Sequence, residues 1–188
     1  MTLAEFLIGF ATIVTGVALT DIVQRIAALI EHRREIRWDW LPLALLANAI
    51  LILIITWALA WQFIQDGVKQ VTLGRFLIGQ AAYVLIYLMS VTMLPRDPQP
   101  GLDLRGHCER QLRPYWVLFS LILLYFSVHF VWLPWFIGSG PLPVVQACVL
   151  TLSTGAALSL TFVRRRLWHV LGGIAFLALN ASNLTQKF

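Results

Sequence analysis

Residues 6–30, FLIGFATIVTGVALTDIVQRIAALI, decide the structural class of this protein. The segment begins with 15 uncharged residues and then reaches Asp21, Gln24 and Arg25 before the apolar pattern resumes. Asp21 follows Glu5 by roughly 24 Å if the segment is an α-helix. Because the hydrocarbon core of a bilayer is about 30 Å thick, such a helix is long enough to cross it with Asp21 still inside the far leaflet.

The composition of the whole chain agrees with a membrane protein. Of 188 residues, 59% are hydrophobic and 12% are charged, and the mean hydropathy is +0.78. A soluble domain carries about twice that charged fraction. The net charge of +5 does not indicate a nucleic-acid partner, because the positive residues are confined to particular segments, as orientation in a membrane requires. We therefore predict a single all-α integral membrane domain over residues 1–188.

Charged segments divide the chain into six predicted spans, which would form a compact helical bundle. The predicted spans are residues 3–30, 40–65, 76–94, 115–136, 142–163 and 167–184. Residues 114–163 carry no formal charge, a length that suits two crossings with a break at 137–143. Residues 95–114 form the one long predicted loop, which begins with three prolines in PRDPQPG. Its second half predicts either a disordered tether or a short helix on the membrane surface, with an apolar face of Leu102, Leu104, Cys108 and Leu112 downward.

The distribution of Lys and Arg predicts the orientation. The segments that follow the first, third and fifth spans carry eleven arginines, whereas the opposite side carries Lys69, Arg75 and Lys187. Cationic flanking segments remain in the cytoplasm. We therefore predict a multi-pass protein of the cell (inner) membrane with both termini outside the cytoplasm.

Short words of sequence recur along the chain. FLIG occurs at residues 6–9 and again at 76–79, and each copy opens a span that runs in the same predicted direction. The cytoplasmic turns each contain an Arg followed three residues later by a Trp. Two interpretations remain open: three pseudo-repeated helical hairpins, or the chance recurrence of short apolar words and ordinary interface chemistry.

The polar group in the first span is the strongest candidate for a binding or translocation site. Asp21 and Arg25 are i,i+4 neighbours on one helix face, and Gln24 lies beside them. An intramembrane carboxylate indicates a functional site because lipid does not solvate it. The alternative is that the pair neutralises itself near the interface and fixes the depth of the helix.

Other polar residues lie inside the predicted spans, and three of them, Asn48, Gln80 and His129, are further candidates for binding or translocation. Taken singly, each is typical of an interhelical hydrogen bond, whereas a cluster would indicate a cavity. The sequence contains no Gly-rich phosphate loop and no G-x-S-x-G or HExxH motif. We therefore predict no catalytic residue, no metal and no cofactor.

Small residues recur at helical spacing in two spans and predict close helix packing. The positions concerned are Gly9, Gly16, Gly155 and Ser159. Such surfaces pack helices within one chain or between copies, so a homo-oligomer is an expected form. The alternative is that small hydroxyl residues line a narrow pore.

These patterns lead to two hypotheses of different classes. In the first, the protein binds or passes an ion or small solute, with Asp21 as the polar determinant. In the second, it is a non-catalytic scaffold or accessory subunit that presents a basic cytoplasmic face to a membrane partner subunit or to the anionic head groups of the lipid bilayer. A polar cavity reaching Asp21 would favour the first, and a dry core with a conspicuous basic face the second.

Overall fold

The computed structural model describes residues 3–65, 73–136 and 144–183, and within these ranges it contains helices and no strand. The helices are α1 (Leu3–Glu31), α2 (Trp40–Gln65), α3 (Leu73–Met93), α4 (Leu104–Ser127), α5 (Val144–Leu160) and α6 (Arg166–Asn183). α4 continues through a π-helical turn, Val128–Trp132, into one further turn, Leu133–Phe136. The predicted all-α class is confirmed. The predicted break at 137–143 lies outside the described residues.

Four of the helices are long and apolar enough to cross a membrane. The qualifying segments are Ile8–Glu31, Trp40–Gln62, Phe76–Met93 and Leu104–Trp132. α5 is apolar but has only 17 residues, or about 25 Å at helical rise. These lengths and compositions fit a protein embedded in a bilayer. The count of six crossings and the repeat of three hairpins remain predictions.

α2 and α4 lie at the centre of the bundle. α2 contacts α1, α3, α4 and α6, and α4 also packs against α3 and α5. Tyr115, Trp116 and Phe119 of α4 are fully buried there. The Trp116 ring contacts the rings of Phe119, His169 and Phe176, which joins α4 to α6. Because lipid tails are as apolar as these side chains, close packing rather than water exclusion stabilises the arrangement.

Two adjacent glycines bring α6 close to its neighbours. A Cβ on Gly173 would lie 3.2 Å from Leu45 Cδ2 in α2, and a Cβ on Gly172 would lie 2.6 Å from Leu160 Cδ1 in α5. Both distances are shorter than ordinary van der Waals contact, so a side chain at either glycine would require the leucine methyl group opposite it to move. The two glycines therefore set how closely α6 approaches α2 and α5.

The start of α4 corrects the predicted loop at 95–114. α4 begins at Leu104, and Asp103 caps it by accepting a hydrogen bond from the Arg105 N–H at 3.2 Å. The helix runs through Pro114. A proline removes one hydrogen bond of a helix, but the turns before Pro114 are held by packing against the rest of the bundle.

The apolar face of this extra helical segment is buried in protein and does not lie on the membrane surface. Leu104 and Cys108 are fully buried and Leu112 nearly so, and Cys108 and Leu112 belong to the main core. The periodicity identified the buried face correctly. The neighbouring helices cover that face. The spacing of apolar residues in one segment does not show which elements cover it.

We predict that Gly173→Leu lowers the thermal stability of the protein in detergent, whereas Gly16→Leu does not. The new side chain at Gly173 would overlap Leu45, and overpacking of this kind costs about 1–3 kcal/mol. Gly16 is exposed, and a Cβ there would meet no heavy atom within 4 Å. Equal melting temperatures for the two variants would contradict the packing described for α6.

Candidate functional site

The Asp21 carboxylate is hydrogen-bonded at the contact between α1 and α3. Arg25 Nε donates to Asp21 Oδ2 at 2.7 Å, and the Tyr87 hydroxyl of α3 donates to the same oxygen at 3.2 Å. Arg25 Nη1 also donates to the Leu94 carbonyl oxygen at 3.1 Å. Leu94 is the residue that follows α3. The ion pair therefore fastens α1 to the last turns of α3.

The surroundings of Asp21 match a structural ion pair. The side chain of Asp21 is 24% exposed and that of Arg25 is 13% exposed, while the neighbouring Gln24 is exposed. Among the described residues, no hydrogen bond joins Asp21 to Asn48 or Gln80. The cation that neutralises the carboxylate belongs to the same helix.

Asn48 belongs to a second, separate set of hydrogen bonds inside the bundle. It is fully buried, and its Nδ2 donates to the Tyr115 hydroxyl at 3.2 Å. That hydroxyl donates to the Leu45 carbonyl oxygen at 3.1 Å, and Asn180 Nδ2 donates to Asn48 Oδ1 at 2.8 Å. The set links α2, α4 and α6, as expected of interhelical hydrogen bonds.

The other two polar candidates lie apart from both sets. Gln80 is half-buried in α3, and its Oε1 is buried without a hydrogen-bond partner in the described structure. His129 lies in the π-helical turn, with its ring stacked on that of Tyr125 at a centroid distance of 5.4 Å. Among the hydrogen bonds of the described residues, none joins Asp21, Asn48 and Gln80 into one site.

Two tyrosine hydroxyls complete these networks, and neither tyrosine was among the predicted site residues. Tyr87 bonds Asp21, and Tyr115 bonds Asn48. The signal available in the sequence was a phenol hydroxyl in an otherwise apolar helix, since a buried hydroxyl needs a partner. Among the described residues, no group of three or more His, Cys, Asp or Glu is placed to hold a metal ion.

The predicted small-residue positions face away from the bundle. Gly9, Gly16, Gly155 and Ser159 are all exposed, and a Cβ on any of the three glycines would meet no heavy atom within 4 Å. They take no part in helix packing within the chain. Packing between copies stays a prediction. Within the chain, Gly172 and Gly173 allow the close packing of α6. The sequence feature that could have indicated this is two consecutive glycines in an apolar segment.

The arginine-rich segments meet at one end of the bundle, where two of their loops are hydrogen-bonded to each other. Arg37 N donates to the Leu102 carbonyl oxygen at 3.0 Å, and Leu104 N donates to the Arg37 carbonyl oxygen at 3.1 Å. Gly101 N donates to the Glu35 carbonyl oxygen at 3.0 Å. Gly101 has a φ of 81°, a left-handed conformation that glycine adopts without strain. The α1–α2 and α3–α4 loops thus form one folded surface.

An ion cluster attaches the third loop to this surface. Arg166, the first residue of α6, donates through Nη2 to Asp39 Oδ2 and through Nη1 to Glu109 Oε1, the latter at 3.4 Å. Asp39 is 6% exposed, and its other carboxylate oxygen accepts a hydrogen bond from Leu41 N in the first turn of α2. The hydrogen bond to Asp39 raises the pKa of the Arg166 guanidinium above its usual value. Such a buried carboxylate requires a paired cation.

This end of the molecule carries most of the net charge. Apart from the Asp21–Arg25 pair, the three loops and the adjoining helical turns contain ten arginines and six acidic residues, a net charge of +4 out of +5 for the chain. Nine of the ten arginines are exposed: Arg33, Arg34, Arg37, Arg96, Arg105, Arg110, Arg113, Arg164 and Arg165. We call this surface the basic end. Its position relative to the cytoplasm stays a prediction.

Comparison of the chain with protein-family models, with curated proteins and with solved structures finds no match.

We predict that Arg25→Met lowers the thermal stability of the protein more than Arg34→Met does. The first substitution leaves the half-buried Asp21 carboxylate without its cation, at a cost of about 2 kcal/mol, which is below the value for a fully buried pair. Arg34 is exposed and makes no hydrogen bond or ion pair in the described structure. Thermal unfolding in detergent measures both variants, and equal destabilisation would show that the Asp21 pair does not fasten α1 to α3.

Proposed function

We propose that the protein is a non-catalytic membrane scaffold or accessory subunit whose basic end binds the anionic head groups of lipids on the cytoplasmic side. One observation carries the proposal: a net charge of +4 lies on three loops that hydrogen bonds and the Arg166 ion cluster hold together as one surface. Separate flexible loops would carry the same charge without this fixed arrangement.

The charge is suited to a lipid surface. Each Arg or Lys near an anionic leaflet contributes about 1 kcal/mol of attraction, which falls off within a Debye length of about 8 Å at physiological salt. The guanidinium group also matches phosphate in geometry, because two of its N–H groups can donate to one phosphate at once. All ten cationic residues of the basic end are arginines.

Enrichment of anionic lipid around the reconstituted protein tests this proposal. The full chain would be extracted with its surrounding lipid from bilayers of phosphatidylglycerol and phosphatidylcholine, and the lipids would be counted by mass spectrometry. We expect phosphatidylglycerol to be enriched, and the enrichment to fall in Arg33→Gln/Arg165→Gln and at high salt. The matched control is Lys69→Gln/Arg75→Gln, which removes cations predicted to lie at the opposite end. Absence of enrichment, or an equal loss in the control, would contradict the proposal.

Passage or binding of an ion or small solute remains the second candidate. It is supported by the Asp21 carboxylate, which is 24% exposed within a membrane helix and next to the Tyr87 hydroxyl. The Arg25 guanidinium argues against this candidate, because it already neutralises the Asp21 carboxylate that would attract a cation. Ion flux in proteoliposomes that disappears in Asp21→Asn, in a variant that stays folded, would favour this candidate over the scaffold.

Contact with a second copy or with a partner subunit is part of the scaffold proposal. The exposed Gly9, Gly16, Gly155 and Ser159 support it, because small residues on a helix surface allow another helix to approach closely.

A further inference from the structure

A cavity of about 460 Å³ opens at the basic end, between α4 and the turn that joins α5 to α6. α4 contributes Glu109, Leu112 and Arg113 to its walls, and the rest comes from the last residue of α5, the turn and the first residues of α6. The volume is within the range of about 300–1,000 Å³ typical of small-molecule sites. Arg113 and Phe162 are among the exposed lining residues, so the cavity is open to the surroundings.

Three arginines and one glutamate line the cavity, and two of the arginines are available to a ligand. Arg166 is engaged by Asp39 and by Glu109, and Glu109 also accepts a hydrogen bond from Arg105. The Glu109 carboxylate would repel an anion, but Arg105 and Arg166 neutralise it. Arg113 and Arg164 are exposed and make no hydrogen bond or ion pair in the described part of the chain. Arg113 and Arg164 thus line the cavity without an anionic partner among the described residues.

The remaining walls are apolar. Leu112 and Leu160 are buried, whereas Phe162, in the turn after α5, is 73% exposed. A ligand that combines an anion with an apolar part would contact both kinds of wall. Inorganic phosphate would contact only the arginines. The division of the lining favours an amphiphile over a free anion.

A buried histidine fixes the position of the turn. His169 Nε2 and the Val163 carbonyl oxygen are 3.0 Å apart, and because a carbonyl can only accept, the hydrogen lies on Nε2. The His169 ring also stacks on Trp116 in the core. Val163 is therefore attached to the packed interior, and Arg164 is the next residue in the chain.

We propose that this cavity binds the phosphate of one anionic glycerophospholipid, held by Arg113 and Arg164, with the adjoining glycerol and acyl part against Leu160 and Phe162. The inference rests on the proposed function and sharpens it, since it places one saturable lipid site within the basic end. Basic cavities between membrane helices are known to hold phosphate head groups in this way.

Native mass spectrometry of the full chain in a neutral detergent tests the site. Phosphatidylglycerol and phosphatidylcholine would be titrated separately onto the wild type, Arg113→Gln/Arg164→Gln and the matched control Arg34→Gln/Arg110→Gln. The control also removes two exposed arginines, neither of which lines the cavity. We expect one phosphatidylglycerol to bind the wild type more tightly than phosphatidylcholine, a loss of affinity of about tenfold or more in the cavity variant, and little change in the control. Arg164→Lys in place of the double variant keeps the charge and should retain most of the binding.

The other outcomes separate the site from the wider proposal. Equal losses in the cavity variant and the control would overturn the site and leave a diffuse attraction to the basic end. No preference for phosphatidylglycerol in the wild type would overturn both. Inorganic phosphate that displaces the lipid at equal concentration would overturn the lipid assignment in favour of a simple anion site. If the double variant melts at a lower temperature, Arg164→Gln alone decides, because Arg164 makes no stabilising contact in the described structure.

Discussion

The Arg166 guanidinium is the contact on which the basic end depends. It bonds the Asp39 carboxylate just before α2 and the Glu109 carboxylate in α4, and it is itself the first residue of α6. One side chain therefore joins three of the helices where they leave the apolar region. Asp39 is almost fully buried, and a buried carboxylate without a cation would be strongly destabilising. The position of the third loop against the other two follows from that requirement.

The same physical constraint explains the polar groups farther inside. A charge or amide surrounded by lipid and apolar side chains needs a partner, and for both Asp21 and Asn48 at least one partner lies on another helix. Asp21 bonds Arg25 in α1 and Tyr87 in α3, and Asn48 bonds Tyr115 in α4 and Asn180 in α6. Asp21 and Asn48 therefore form hydrogen bonds between helices. The unpaired charge is left at the basic end, where a ligand can reach it.

Much of the helical framework could be predicted from the sequence, because long uncharged runs bounded by charges have few other structures. Leu3–Glu31 and Trp40–Gln65 end within one residue of the predicted bounds. For the start of α4 the sequence left a short surface helix and a disordered tether both open, because prolines and six charged residues lie between 96 and 110. It could not show that the apolar face of this helix is covered by other helices. The Asp21–Arg25 pair was identified by its spacing, but its bond to Tyr87 required knowledge of which helices are neighbours. For the same reason the sequence identified small residues that face outward and passed over Gly172–Gly173, whose close contacts come from α2 and α5.

The central claim is that the basic end is one surface on the cytoplasmic side of the membrane. Labelling of a single cysteine with a membrane-impermeant thiol reagent tests it most directly. The background is Cys148→Ser, since Cys148 is exposed and Cys108 is buried. Gln99→Cys, exposed in the α3–α4 loop, should be labelled only after the cells are permeabilised, while Gln70→Cys on the predicted outer side should be labelled on intact cells. Labelling of Gln99→Cys on intact cells, with none of Gln70→Cys, would contradict the account.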